Sequence, residues 1–194
     1  MDKFRGKYRI KSARWEKWDY GWNGAYFVTI VTQNRLHYFG RIIDGEMQLS
    51  DLGKIAQKFW YEIPVHFPFV VLDAFVVMPN HIHGIIIIDK PVETPDSGVS
   101  TGKNMDVYIE TPNLGVSTRK NMDAGNDKRW KPGTLGVIVN QYKRACTIEA
   151  RQIVPDFGWQ SRFYDRVIRD GNEFNKIRFY ILNNPGNWEN DYYS

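Results

Sequence analysis

The residues with most to offer chemically are the histidines of the triplet His81-Ile82-His83, since the chain has only four histidines and two stand here. On a β-strand, residues i and i+2 point to the same side, so both imidazoles face one side of a sheet and Ile82 the other. Two imidazoles so placed are a ready-made pair of metal ligands; a pair hydrogen-bonded inside the sheet satisfies the same pattern. Near the end of the chain, Tyr180 and Asn184 stand four residues apart. At about 100° per residue on a helix, Phe174, Ile177 and Ile181 form an apolar stripe with Tyr180 and Asn184 along one flank. A hydroxyl and an amide then emerge side by side at the edge of the helix that packs on the sheet.

The elements that must position these groups are legible from periodicity. Ala25 to Thr32 (AYFVTIVT) reads as a strand. Leu49 to Ile63 carries a helix signature, with Ser50 or Asp51 as cap, with Leu52, Ile55, Ala56, Phe59 and Trp60 at helical spacing, and with Pro64 to close it. Phe69 to Met78 and His81 to Asp89 are apolar runs joined by Pro79-Asn80, an antiparallel pair with a tight connection. A second helix starts near Thr134 and runs to Ile153, a strand comes next at about Phe163 to Arg169, and a last helix spans about Asn172 to Asn183. That helix is expected to stop there, because the residue before Pro185 is disfavoured in the α region. The order β-α-β-β-α-β-α predicts an α+β fold of the ferredoxin-like, split βαβ kind, an antiparallel sheet with helices packed on it.

One stretch stands outside this plan. Residues 93 to 106 (ETPDSGVSTGKNMD) are nearly repeated by 110 to 123 (ETPNLGVSTRKNMD). The composition is too polar to offset its chain entropy by burial, so residues 91–133 read as a flexible insertion in a single domain spanning 1–194. Two copies are too few for a solenoid.

Composition narrows the classes further. Hydrophobic residues at 42% and aromatics at 15% fit a globular domain. The single cysteine, Cys146, can form neither an internal disulfide nor a thiolate metal cluster, which suits a reducing cytoplasm. The opening residues MDKFRGKYRIKSARW spread charge throughout and have no apolar core, so neither secretion nor membrane insertion is expected. The net charge of +4 is unevenly spread. Lys3, Arg5, Lys7, Arg9, Lys11 and Arg14 alternate with Phe4, Tyr8, Trp15, Trp18 and Tyr20, supplying phosphate-neutralising charge and flat faces for unpaired bases. A solvated basic tail with a few docked aromatics is the plainer reading of the same segment.

Four blocks occur in order along the chain: RWEKWDYGWNGAYFVTIVTQNR (14–35), FVVMPNHIHGIIII (75–88), GWQSRFYDRVIR (158–169) and YILNNP (180–185). The combination resembles the single-tyrosine HUH transposases of insertion sequences, and most of all the REP-associated tyrosine transposases. The resemblance implies the same ferredoxin-like fold, with the C-terminal helix carrying Tyr180 as nucleophile. It further implies that His81, His83 and Asn184 ligate a metal ion; mixed nitrogen and oxygen ligands suit Mg²⁺ or Mn²⁺ better than zinc, whose usual third ligand is not an amide. The chain departs from the family pattern at the repeated insertion and at Arg166, where relatives often have His.

The implied activity is metal-dependent cleavage and rejoining of single-stranded DNA at hairpins or palindromic repeats, through a 5′-phosphotyrosine link. The implied setting is cytoplasmic and nucleoid-associated. Relatives include dimers that share their tyrosine helices and monomers that do not, so a homodimer stays open. A different class, a non-catalytic single-strand-binding module, is the alternative, since sheets with exposed aromatics also bind single strands.

Overall fold

In a computed structural model of the protein, the described residues are 19–91 and 132–190, with two short paired strands ahead of them, β1 (Lys3–Phe4) and β2 (Lys7–Tyr8). The side chains of the basic segment, Lys3 to Arg14, and the repeat-bearing segment 92–131 lie outside the described residues. Met1–Pro91 and Trp130–Ser194 form one compact unit, and the elements and site described below belong to it.

The architecture is mixed α+β. Strands β3 (Gly24–Val31), β6 (Val70–Val77), β7 (His81–Ile88) and β8 (Tyr164–Ile168) form an antiparallel sheet in the order β6-β7-β3-β8. Between β3 and β6 come a hairpin, β4 (Gly40–Ile43) and β5 (Glu46–Leu49), and helix α1 (Asp51–His66). Helix α2 (Leu135–Ala150) precedes β8, and α3 (Gly171–Asn183) comes after it.

Strand alternation sorts the sheet into two faces. Tyr26, Val28 and Ile30 of β3 and Ile82, Ile86 and Ile88 of β7 enter the larger core with Trp60 of α1 and Ile138, Val139 and Tyr142 of α2. Gly84 belongs to this face because Trp60 leaves no room for more: a Cβ there would lie 2.2 Å from the indole ring. The opposite face carries Phe27, Ile85 and Ile168, covered by Phe174, Ile177 and Ile181 of α3. That trio is the stripe expected from helical spacing.

Local rules account for most boundaries. Ser50 caps α1, accepting from the Gly53 N–H at 3.1 Å. Asp170 caps α3, accepting from Glu173 N at 2.8 Å, while Glu173 reaches back to accept from Arg169 N at 2.9 Å, a reciprocal arrangement close to a capping box.

Three expectations need correction. Pro64 lies inside α1 instead of closing it. In the final turn a proline removes one ladder bond, and the Phe67 N–H bonded to Ile63 O completes the end. Asn184, which precedes Pro185, adopts the α region (φ −60, ψ −43). The pre-proline clash disfavours this geometry without forbidding it, and Pro185 opens a 3₁₀ turn, Pro185–Asn190, where a fixed φ and a missing N–H cost little. Finally, the β4–β5 hairpin has no counterpart in the expected order of elements, although Asp44-Gly45 (φ 52 and 78) is the pair that a tight two-residue turn requires.

Candidate active site

Strand β7 places both histidines on the face covered by α3. His81 pairs in register with Val31 and His83 with Thr29, so each imidazole projects beside β3. Both are buried, at 0% and 1% exposure. Their Nε2 atoms converge to 3.1 Å. Each ring is held from behind through Nδ1: that of His81 lies 2.8 Å from Asn80 Oδ1, and that of His83 lies 2.8 Å from Thr29 Oγ1. An amide oxygen only accepts, so the His81 Nδ1 carries the proton and its Nε2 lone pair points toward His83.

The protonation state agrees with this. Burial, reinforced by the charges of Arg35 and His37, lowers the His81 imidazole to about 3. It is therefore neutral at ordinary pH, the form in which an imidazole donates a lone pair.

Helix α3 brings the third group. The Tyr180 hydroxyl stands 3.2 Å from His83 Nε2, and its ring meets Phe27 edge-on at 6.2 Å between centroids. Phe27 in turn stacks on His83 at 5.3 Å. Tyr180 is 45% exposed, although its hydroxyl lies against the buried pair. One helical turn on, Asn184 is turned inward at 2% exposure by the α geometry that carries the chain into the 3₁₀ turn. The salt bridge from Arg178 Nε to Asp73 Oδ1, 3.2 Å, ties the same helix to β6.

Two other tyrosines are rivals for the nucleophile on sequence grounds. The Tyr142 hydroxyl is buried on the opposite face, donating to Ala56 O at 3.0 Å. Tyr164 lies on the correct face of β8, but its register partner is Thr29, which sets it one strand beyond His83's neighbour.

Residues that the sequence did not single out complete the surroundings. Trp188, in the 3₁₀ turn, stacks on His81 at 6.0 Å and meets His37 edge-on at 5.7 Å. Arg35 and His37 come from the loop after β3, where Asn34 and Arg35 both hold φ 55. That loop is fastened by the GWQ segment at 158–160: Gln33 N donates to Gly158 O at 2.8 Å and Gln160 N to Val31 O at 2.9 Å. The buried Lys143 Nζ donates to Gln160 O at 2.6 Å, and Trp159 Nε1 to Lys143 O at 3.2 Å. The WQ signature thus clamps the end of β3 beside His81.

The solved structure of a REP-associated tyrosine transposase bound to a REP hairpin shares the fold, with a TM-score of 0.52 at 17% identity over 95% of this chain and 73% of that one. A chain from Deinococcus radiodurans r1 aligns over 94% of this chain and 97% of its own at 13% identity, with a TM-score of 0.43 that adds no weight. No family model matches the sequence. The chain belongs to one family with an uncharacterized protein of Haemophilus influenzae, to which it is 36% identical over 188 residues, 96% of this chain and 93% of that one.

Proposed function

We propose that the protein is a metal-dependent endonuclease and strand transferase of single-stranded DNA, acting at hairpin or repeat-associated sites with Tyr180 as nucleophile. The observation that carries the reading is the convergence of the Tyr180 hydroxyl on the buried His81–His83 pair. The strand order and the helix placement support taking the sheet as the ferredoxin-like, split βαβ kind, with the nucleophile on the C-terminal helix.

The histidine pair suits a divalent ion. Two nitrogens about 2.1 Å from one ion and roughly at right angles stand about as far apart as the two Nε2 atoms do, and backing at both Nδ1 positions is the usual support for ligating histidines. His81, His83 and Asn184 would hold Mg²⁺ or Mn²⁺, the latter being the more tolerant of imidazole. When bound, the ion polarises the scissile phosphate and offsets charge on the leaving oxygen. Phe27 fixes the Tyr180 ring, so the hydroxyl oxygen is presented in one direction. That oxygen attacks phosphorus and its proton passes to water. The phosphotyrosine bond forms as the bond to the departing 3′-oxygen breaks; that oxygen takes a proton from water, leaving a 5′-phosphotyrosine and a free 3′-hydroxyl. Attack by another 3′-hydroxyl reverses the step and joins strands.

The basic residues Lys3, Arg5, Lys7, Arg9, Lys11 and Arg14 are assigned to the DNA backbone, and the protein to the nucleoid, on charge alone. The REP hairpin bound by the solved transposase supports DNA of that kind as substrate. A purely binding module has no need of a buried histidine pair with a tyrosine hydroxyl aimed at it. Incubating hairpin-bearing single strands with Mn²⁺ tests the reading: cleavage that stops in excess chelator is expected, and intact strands across a broad panel would overturn it.

A further inference from the structure

We propose that the exposed ring of Tyr164 is the platform on which an unpaired base of the DNA strand stacks beside the phosphate to be cut. This rests on the nuclease reading and adds a substrate-binding residue to it.

Register puts Tyr164 where such a base would arrive. Thr29 of β3 is paired with His83 on one side and with Tyr164 on the other, so all three side chains share the face that bears the site. Two inter-strand steps separate Tyr164 from His83, about 10 Å. Among the described residues, helix α3 packs mainly on β6 and β7, away from this end of β8. Tyr164 is 42% exposed in consequence.

The surface between is aromatic and continuous. Phe27 meets Tyr164 edge-on at 6.2 Å, stacks on His83 at 5.3 Å and touches Tyr180 at 6.2 Å. One edge of the Tyr164 ring is thereby fixed while much of its surface stays open to solvent, as a stacking platform requires. The charge around it has the sign a phosphodiester needs. Arg162, Arg166 and Arg169 are exposed in or beside the same strand, whereas Asp165 is buried with its side chain on the opposite face. The Arg166 guanidinium is anchored to Glu173, whose carboxyl is held below the usual range by the Arg169 N–H and by Arg166. A flat, sequence-tolerant ring flanked by cations is the recurring way of holding single strands.

The test uses the full chain and hairpin-bearing single strands carrying 2-aminopurine at each unpaired position in turn. Tyr164→Leu keeps bulk and loses the π-face, Tyr164→Phe restores the face, and Tyr61→Leu removes an exposed tyrosine on α1, which packs on the other face of the sheet. The Leu variant is expected to bind roughly ten-fold more weakly, the scale of one base–aromatic stack, and to lose the fluorescence quenching at one position. Its KM should rise with kcat at saturating DNA retained; Phe should restore binding, and Tyr61→Leu should match wild type. Wild-type affinity in the Leu variant, or equal weakness in Leu and Phe, overturns the platform. Cleavage by wild type with quenching indifferent to Tyr164 rejects the platform and keeps the nuclease. Tyr164-dependent quenching without any cleavage does the reverse.

Discussion

The Tyr180 hydroxyl and His83 Nε2 stand 3.2 Å apart across a separation of 97 residues in the chain. The contact depends on two independent periodicities. Strand alternation turns His83 toward α3, and the helical stripe Phe174, Ile177, Ile181 fixes α3 in the rotation that leaves Tyr180 at its edge.

The two faces of β7 should separate function from stability. Ile82→Ala removes a fully buried side chain from the larger core and is expected to cost about 2–5 kcal/mol while leaving the histidines in place. Gly84→Ala drives a methyl into Trp60 and is expected to cost roughly 1–3 kcal/mol or more. Urea unfolding checks both. His81→Ala should instead lose metal-dependent cleavage with a stable fold.

Metal dependence should grade by ligand. His81→Ala and His83→Ala are expected to abolish cleavage at moderate Mn²⁺. Asn184→Ala should act more mildly, since a water can partly replace an amide oxygen. DNA binding should persist in all three, because backbone affinity comes mainly from Lys and Arg. Cleavage titrations against Mn²⁺ and Mg²⁺, beside binding curves in chelator, separate the two effects.

Acid should destabilise the metal-free protein through His81. Its imidazole is lowered in the fold from its ordinary 6.5 to about 3, so between those values the unfolded chain takes up a proton that the folded chain refuses. The contribution is therefore complete above about pH 6.5 and is lost progressively as pH falls toward 3. Urea midpoints measured in chelator across this range should drop less in His81→Gln than in wild type.

Much of this site is readable in the sequence because it obeys period. The i, i+2 histidines and the i, i+4 pair Tyr180 and Asn184 require only that β7 be a strand and α3 a helix. What escapes is set by loops and by tertiary contact. Arg35, His37 and Trp188 gather round His81 through a left-handed turn and a 3₁₀ segment, neither of which has a periodic signature. Thr29 is an ordinary strand residue until its register partner is known to be His83. Asn184 is legible as a position but not in its conformation, because the local steric preference of a pre-proline residue yields where α3 passes into the 3₁₀ turn.

The central claim is that the Tyr180 oxygen becomes covalently joined to DNA. Wild type and Tyr180→Phe are incubated with a hairpin-bearing single strand and Mn²⁺, denatured, digested, and the nucleotide-bearing peptide located by mass spectrometry. A nucleotide adduct on Tyr180 in wild type, absent in chelator and absent from Tyr180→Phe although that variant still binds DNA, is the predicted result. An adduct mapped to Tyr164 or Tyr142, or one that persists in Tyr180→Phe, would contradict it.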